Sequence, residues 1–139
     1  MIYESSKAAD TVAIGENFAK NARSGDIFCL AGNLGVGKTV FASGFAKGLG
    51  INCDITSPTF TILNEYHEGS LCLFHFDLYR LTSPYELLAI GYDEYFFGNG
   101  VTLVEWPERA GNLIPQNATF ITIETDFKIN LSYRRITIN

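Results

Sequence analysis

Gly32-Asn33-Leu34-Gly35-Val36-Gly37-Lys38-Thr39 has the form G-x-x-x-x-G-K-[ST], with one more glycine inside it. The apolar run Ile27-Phe28-Cys29-Leu30-Ala31 precedes it, and a helical pattern (Val40, Phe41, Phe45, Leu49) follows. A strand, a glycine loop and a helix in that order make the motif specific rather than a chance string. Gly32, Gly35 and Gly37 let the backbone turn sharply, so that successive N–H groups of residues 33–40 can point inward at phosphate oxygens. The helix opening near Lys38 adds its positive dipole end. In such a loop Asn33, Leu34, Gly35, Val36, Gly37, Lys38, Thr39 and Val40 line the nucleotide phosphates. Lys38 reaches the β- and γ-phosphates and the Thr39 hydroxyl ligates Mg²⁺.

Outward from the loop, the chain reads as alternating helices and buried strands. Ser5 or Ser6 is the expected cap of a first helix that ends at Gly25, and the helix after Lys38 stops at Gly48 and Gly50. Phe60 to Tyr66 reads as a strand, and Leu71 to Phe76 as a buried strand ending on Asp77. Ser83-Pro84-Tyr85-Glu86 is a capping box that opens a helix to about Gly91. Val101 to Val104 is a further buried strand, ending on Glu105. Thr119 to Glu124 and Arg134 to Ile138 alternate apolar and polar residues, the signature of an antiparallel pair with one wet face. The expectation is an α/β fold: a three-layer P-loop NTPase-like domain with a mainly parallel sheet and antiparallel C-terminal strands, residues 1–139 forming a single domain.

In parallel sheets ligands bind beyond the carboxyl ends of the strands, where the loop, Asp77 and Glu105 should converge. A Mg-nucleotide site needs a strand-end carboxylate beside the loop. Either acid can hold Mg²⁺, and the other can position the attacking water; a solvated strand-end acid is the plain alternative for each. Thr59 and Thr61 stand where many P-loop proteins carry a γ-phosphate-sensing loop, or they simply lead into a strand. Arg80 and Arg109 could stabilise transferred-phosphate charge, with surface ion pairs the plainer reading. His75, inside an apolar run, reads as a satisfied core histidine, and Trp106 as either core or a lid over the site.

Composition bounds the rest. A net charge of −5 and a pI near 4.9 argue against independent binding to nucleic acid, and Arg134-Arg135 reads as a solvated strand face. Three cysteines without a C-x-x-C string fit free thiols in a reducing compartment. The first ten residues lack the apolar core of a signal peptide, and no apolar run is long enough to span a membrane. A cytoplasmic protein is expected. No N-K-x-D string for guanine occurs, which favours adenine nucleotides.

Four strings in this order resemble the TsaE (YjeE) family: the glycine loop, Ser57-Pro58-Thr59-Phe60-Thr61, His75-Phe76-Asp77-Leu78-Tyr79-Arg80-Leu81, and Val104-Glu105-Trp106-Pro107. The motifs come in the family's order and cover nearly the whole chain, and the His-Phe-Asp-Leu-Tyr-Arg and Glu-Trp-Pro strings are the specific ones, which the loop alone is not. The resemblance implies a weak Mg-dependent ATPase acting in tRNA threonylcarbamoyladenosine formation with the proteins TsaB and TsaD, and touching tRNA only through them. It implies Lys38 as phosphate lysine, Thr39 and Glu105 as Mg²⁺ ligands, Asp77 as a catalytic or switch acid, Thr59 in a switch-like loop and Trp106 as the signature tryptophan. Asn33 and Val40 depart from the family pattern, which commonly has aspartate and threonine there. Val40 removes a hydroxyl that would bond a phosphate, a contact worth about 1.5–3 kcal/mol, and Asn33 removes a negative charge, partly offsetting the loss. A small-molecule kinase, distinguished by acceptor-dependent ADP release, and a non-hydrolysing nucleotide-binding adaptor are the alternatives.

Overall fold

A computed structural model describes residues 1–33, 35–58 and 60–139. The strand that feeds the glycine loop, β2 (Ile27–Ala31), lies inside a seven-stranded sheet. The other strands are β1 (Ile2–Ser5), β3 (Leu63–Tyr66), β4 (Leu73–Asp77), β5 (Val101–Glu105), β6 (Thr119–Thr125) and β7 (Arg134–Ile138), and the order across the sheet is β1-β7-β6-β2-β5-β4-β3. The central strands β6, β2, β5 and β4 are parallel. Antiparallel β3 closes one side, and antiparallel β7 followed by β1 closes the other. Every residue of β4 and β5 is buried. This is why their sequences are continuous apolar runs, whereas β6 and β7 alternate.

The pleat sends alternate side chains of β2 to opposite faces. Phe28 and Leu30 join a core with Phe41, Phe45 and Ala46 of α2 (Lys38–Gly48), while Ile27 and Cys29 join a second core with Phe76, Leu87 and Phe96. Helix α1 (Ala8–Lys20) packs on α2 over the first core; α3 (Tyr85–Ala89), α4 (Tyr92–Phe96) and a 3-10 segment (Pro107–Leu113) cover the second. The sheet is thus the middle of three layers. Burial of Phe41 and Phe45, both fully inaccessible, fixes α2 to the sheet at about 1.5–3 kcal/mol per ring. Gly44 brings α1 and α2 into backbone contact, because a Cβ there would overlap the Val12 carbonyl. The start of α2, and so the glycine loop, is thereby set against both its neighbours.

Several local expectations shift. Neither Ser5 nor Ser6 caps α1: the N-cap is Lys7, Ser5 belongs to β1, and its Oγ bonds Lys7 O and Thr11 Oγ1. Ser6 instead donates to Asp10 Oδ2 from its N–H and its hydroxyl. The strand expected from Phe60 begins only at Leu63, after Ile62 adopts a left-handed φ of 69°. The helix expected to end at about Gly91 does so, as α3, and a second short helix, α4, starts beyond Gly91, whose φ of 71° separates the two. The opening of α3 keeps the reciprocal bonding of a capping box: Ser83 N–H donates to Glu86 Oε2 and Tyr85 N–H to Ser83 Oγ. The cysteines Cys29, Cys53 and Cys72 are free thiols. Burial pushes the Cys29 thiol up to about 12, so it stays protonated. No helix among the described residues is long and apolar enough to cross a membrane.

Candidate functional site

The loop leaves the carboxyl end of β2 and enters α2 through Gly37, the N-cap, at φ 103°. Gly32 and Gly35 also have positive φ, 148° and 79°, a backbone path that residues with a Cβ adopt only under strain. Beside the loop opens a cleft of about 410 Å³, lined by Gly35, Gly37, Lys38 and Thr39 together with Ser57, Asp77, Tyr79, Glu105 and Trp106. The sheet order explains the convergence. β5 lies beside β2 and β4 beside β5, with Asp77 and Glu105 in register at the two strand ends. Adjacent strands run only about 4.8 Å apart, so both carboxyl groups reach the same space.

Each acid is held by its own partners. Asp77 accepts from Ser57 Oγ at 2.6 Å and from Tyr79 N–H at 3.0 Å, one bond to each carboxylate oxygen. Glu105 accepts at Oε2 from His75 Nε2 at 2.6 Å, and Oε1 makes no hydrogen bond among the described residues. Lys38 Nζ donates to Gly32 O at 2.7 Å and lies 3.6 Å from the centroid of the Trp106 ring. Burial lowers the Lys38 pKa below that of a free lysine, and Glu105, Asp77 and Glu108 oppose the shift in that order. Burial thus disfavours the ammonium while the carboxylates opposite favour it. Trp106 packs against Tyr79 with ring centroids 5.0 Å apart and the planes tilted by 47°, and it has φ 57°. With Ile62, whose carbonyl accepts the Asp77 N–H, it is one of two non-glycine residues with positive φ among those described. Such conformations cost on the order of 1–3 kcal/mol each and cluster where function over-determines the backbone. Both flank the acids.

The donor set suits Mg²⁺ completed by phosphates. Thr39, Asp77 and Glu105 offer hard oxygen ligands, which Mg²⁺ prefers. Among the described residues no three His, Cys, Asp or Glu side chains gather into a metal centre by themselves, so nucleotide oxygens and water would have to complete an octahedral shell.

Lys38, Thr39, Asp77, Glu105 and Trp106, expected from the sequence, meet in this cleft. Thr61, Arg80 and Arg109 do not line it. Thr61 Oγ1 contacts Asn64 at 3.4 Å, Arg80 lies over Phe60, and Arg109 Nη1 donates to Leu81 O at 3.4 Å. Neither arginine forms an ion pair among the described residues. Leu34 and Thr59 lie outside the described residues. Three contributors escaped the sequence reading: Ser57, His75 and Arg134. His75 is buried as expected, yet one ring nitrogen serves Glu105 while Nδ1 has no partner. The period-two pattern carried the signal, because it puts His75 and Asp77 on one face of β4. Arg134 is not a solvated strand residue: its Nε–H donates to Val36 O at 2.6 Å, from β7 onto the loop.

Parallel strands feeding a G-x-x-x-x-G-K-[ST] loop in this way are the architecture of the P-loop class of α/β proteins. Within that class the chain belongs to the TsaE family, since the model of the family described as "Threonylcarbamoyl adenosine biosynthesis protein TsaE" matches residues 5–135. The tRNA threonylcarbamoyladenosine biosynthesis protein TsaE of Bacillus subtilis is 48% identical over 115 residues, covering 83% of this chain and 72% of that protein. The protein of the same description from Treponema pallidum is 42% identical over 119 residues, covering 86% and 87%. The crystal structure of Bacillus subtilis YdiB superposes with a TM-score of 0.80 at 39% identity, covering 99% of this chain and 83% of that one.

Proposed function

We propose that this chain binds and hydrolyses Mg-ATP and that its ATP cycle serves tRNA threonylcarbamoyladenosine formation, in concert with the proteins TsaB and TsaD. The observation that carries the reading is the meeting of Lys38, Thr39, Asp77 and Glu105 in one cleft at the end of a parallel sheet. The pathway follows from family membership. The net charge of −5 suits a protein that reaches tRNA through protein partners rather than by itself.

In this reading the loop N–H groups and Lys38 bind the β- and γ-phosphates, with Lys38 exchanging the Gly32 carbonyl for phosphate oxygen. Thr39 and Glu105 would hold Mg²⁺, which would supply positive charge against the phosphoryl oxygens. Asp77, fixed by Ser57 and Tyr79, orients the attacking water. Neither Arg80 nor Arg109 lines the cleft to neutralise the transition state, so hydrolysis by the chain alone should be slow. A partner can supply such a group or bring Thr61 to the γ-phosphate.

Two measurements test this. ATP turnover should rise when the cognate TsaB–TsaD pair is added; equal rates with and without the pair would remove the partner claim. Trp106 is the chain's single tryptophan, and its ring lies against the Lys38 ammonium. Moving that ammonium onto phosphates should change the intrinsic fluorescence on addition of Mg-ATP. A flat titration, where calorimetry shows binding, would take Trp106 and Lys38 out of the ligand's reach.

A further inference from the structure

Arg134 opens β7 and is 98 residues from the loop it touches. Its Nε–H donates to the Val36 carbonyl at 2.6 Å, and its Nη1 donates to the carbonyls of Leu131 and Tyr133 at 3.0 and 2.8 Å. The guanidinium is therefore clamped to the turn before its own strand and presents one fixed donor to the loop. Val36 C=O and Gly37 N–H belong to the same planar, trans peptide unit, so they point in opposite directions. Holding the carbonyl on the Arg134 side turns the Gly37 N–H to the other side. That N–H has no hydrogen-bond partner among the described residues, and Gly37 lines the cleft. A peptide unit followed by a glycine at φ 103° meets little steric resistance to flipping. A flipped unit would aim a carbonyl at the anion instead of a donor.

We propose that Arg134 is a positioning residue of the phosphate loop, which locks the Val36–Gly37 peptide in the orientation that donates to a nucleotide's phosphates. This rests on the nucleotide reading above. A point-charge ammonium cannot replace it, because the planar guanidinium uses its fork to hold three carbonyls at once.

The test compares wild type with Arg134→Gln and Arg134→Lys, titrating Mg-ADP, inorganic tripolyphosphate and AMP by calorimetry or by competition against a fluorescent nucleotide. Both variants should bind Mg-ADP and tripolyphosphate about 10-fold more weakly, the effect expected of one lost charge-assisted bond. AMP affinity should change less than about twofold, because one phosphate at the helix start needs less of the loop. Equal weakening of all three ligands, together with a lower melting temperature of the free protein, would make Arg134 merely structural. Tight binding by wild type with unchanged binding by both variants would overturn the role of Arg134 and leave the nucleotide reading standing. Failure of wild type to bind Mg-ADP would remove both. Should Arg134→Gln not fold, wild type still decides. The Arg134 Nε–H signal in a nitrogen-15 spectrum should be protected from solvent exchange and should shift on adding Mg-ADP. A rapidly exchanging signal that does not shift would overturn the inference.

Discussion

Lys38→Ala should weaken ATP binding by about 10²–10³-fold while the protein stays folded. The ammonium contributes charge-assisted bonds to phosphate worth about 1.5–3 kcal/mol each, and losing two of them reaches that range. The effect on stability should be small because two terms oppose each other. The variant loses the hydrogen bond to Gly32 O and the contact with the Trp106 ring, an interaction of about 0.5–2 kcal/mol. It also loses a charge that burial disfavours, as the lowered Lys38 pKa indicates. A group whose charged form is penalised in the folded state destabilises that state where the unfolded chain would be protonated, so its removal relieves the fold. Calorimetric titration with Mg-ATP and a thermal melt of the free protein check both halves. Wild-type affinity in the variant would refute the loop as the phosphate site. A collapsed melt would instead make Lys38 a structural residue.

Much of this site was legible because its chemistry is tied to strand ends. A glycine loop after an apolar run announces a parallel strand, and acids closing two further apolar runs announce the same edge of the sheet. Asp77 and Glu105 could be named before any coordinate was known, but their strand neighbours could not. The order β2-β5-β4 is what brings His75 across to Glu105, because the residue paired with His75 is Leu103, two positions before Glu105. Ser57 meets Asp77 through a segment with no regular structure, which periodicity does not reach. Arg134 was misread for a related reason: alternation along β7 gives its faces, but only the sheet order β7-β6-β2 shows that its first residue abuts the loop. Strand β1 escaped notice because four residues at a chain end, on an outer edge, carry too short a pattern to count. Gly91 was legible as the stop of α3, whereas α4 beyond it was not, because five residues carry too short a helical pattern to count.

Glu105→Gln and Asp77→Asn should both impair hydrolysis, by different routes. The amide replacements are chosen over alanine because each acid has buried partners. Alanine at 105 would strip His75 of its remaining hydrogen bond, and His75 Nδ1 already has none; one more orphaned buried group costs about 1–3 kcal/mol. Glutamine keeps an acceptor for His75 and removes the charge that a hard cation prefers. Its ATP affinity should therefore fall in the presence of Mg²⁺ and remain near wild type in EDTA. Asparagine at 77 keeps an acceptor for the Tyr79 N–H, and the Ser57 hydroxyl can turn to accept from the amide. It removes only the base that orients water. Turnover should fall by about 10²–10⁴-fold, the range for losing a positioned general base, with Mg-ATP affinity nearly unchanged. Assays with the partner proteins present give kcat, and titrations with and without Mg²⁺ give the affinities. If the two variants exchange behaviours, Asp77 is the metal ligand and Glu105, braced by His75, is the water-orienting base. If both turn over ATP at the wild-type rate, neither strand-end acid does the chemistry, and the cleft binds nucleotide without hydrolysing it.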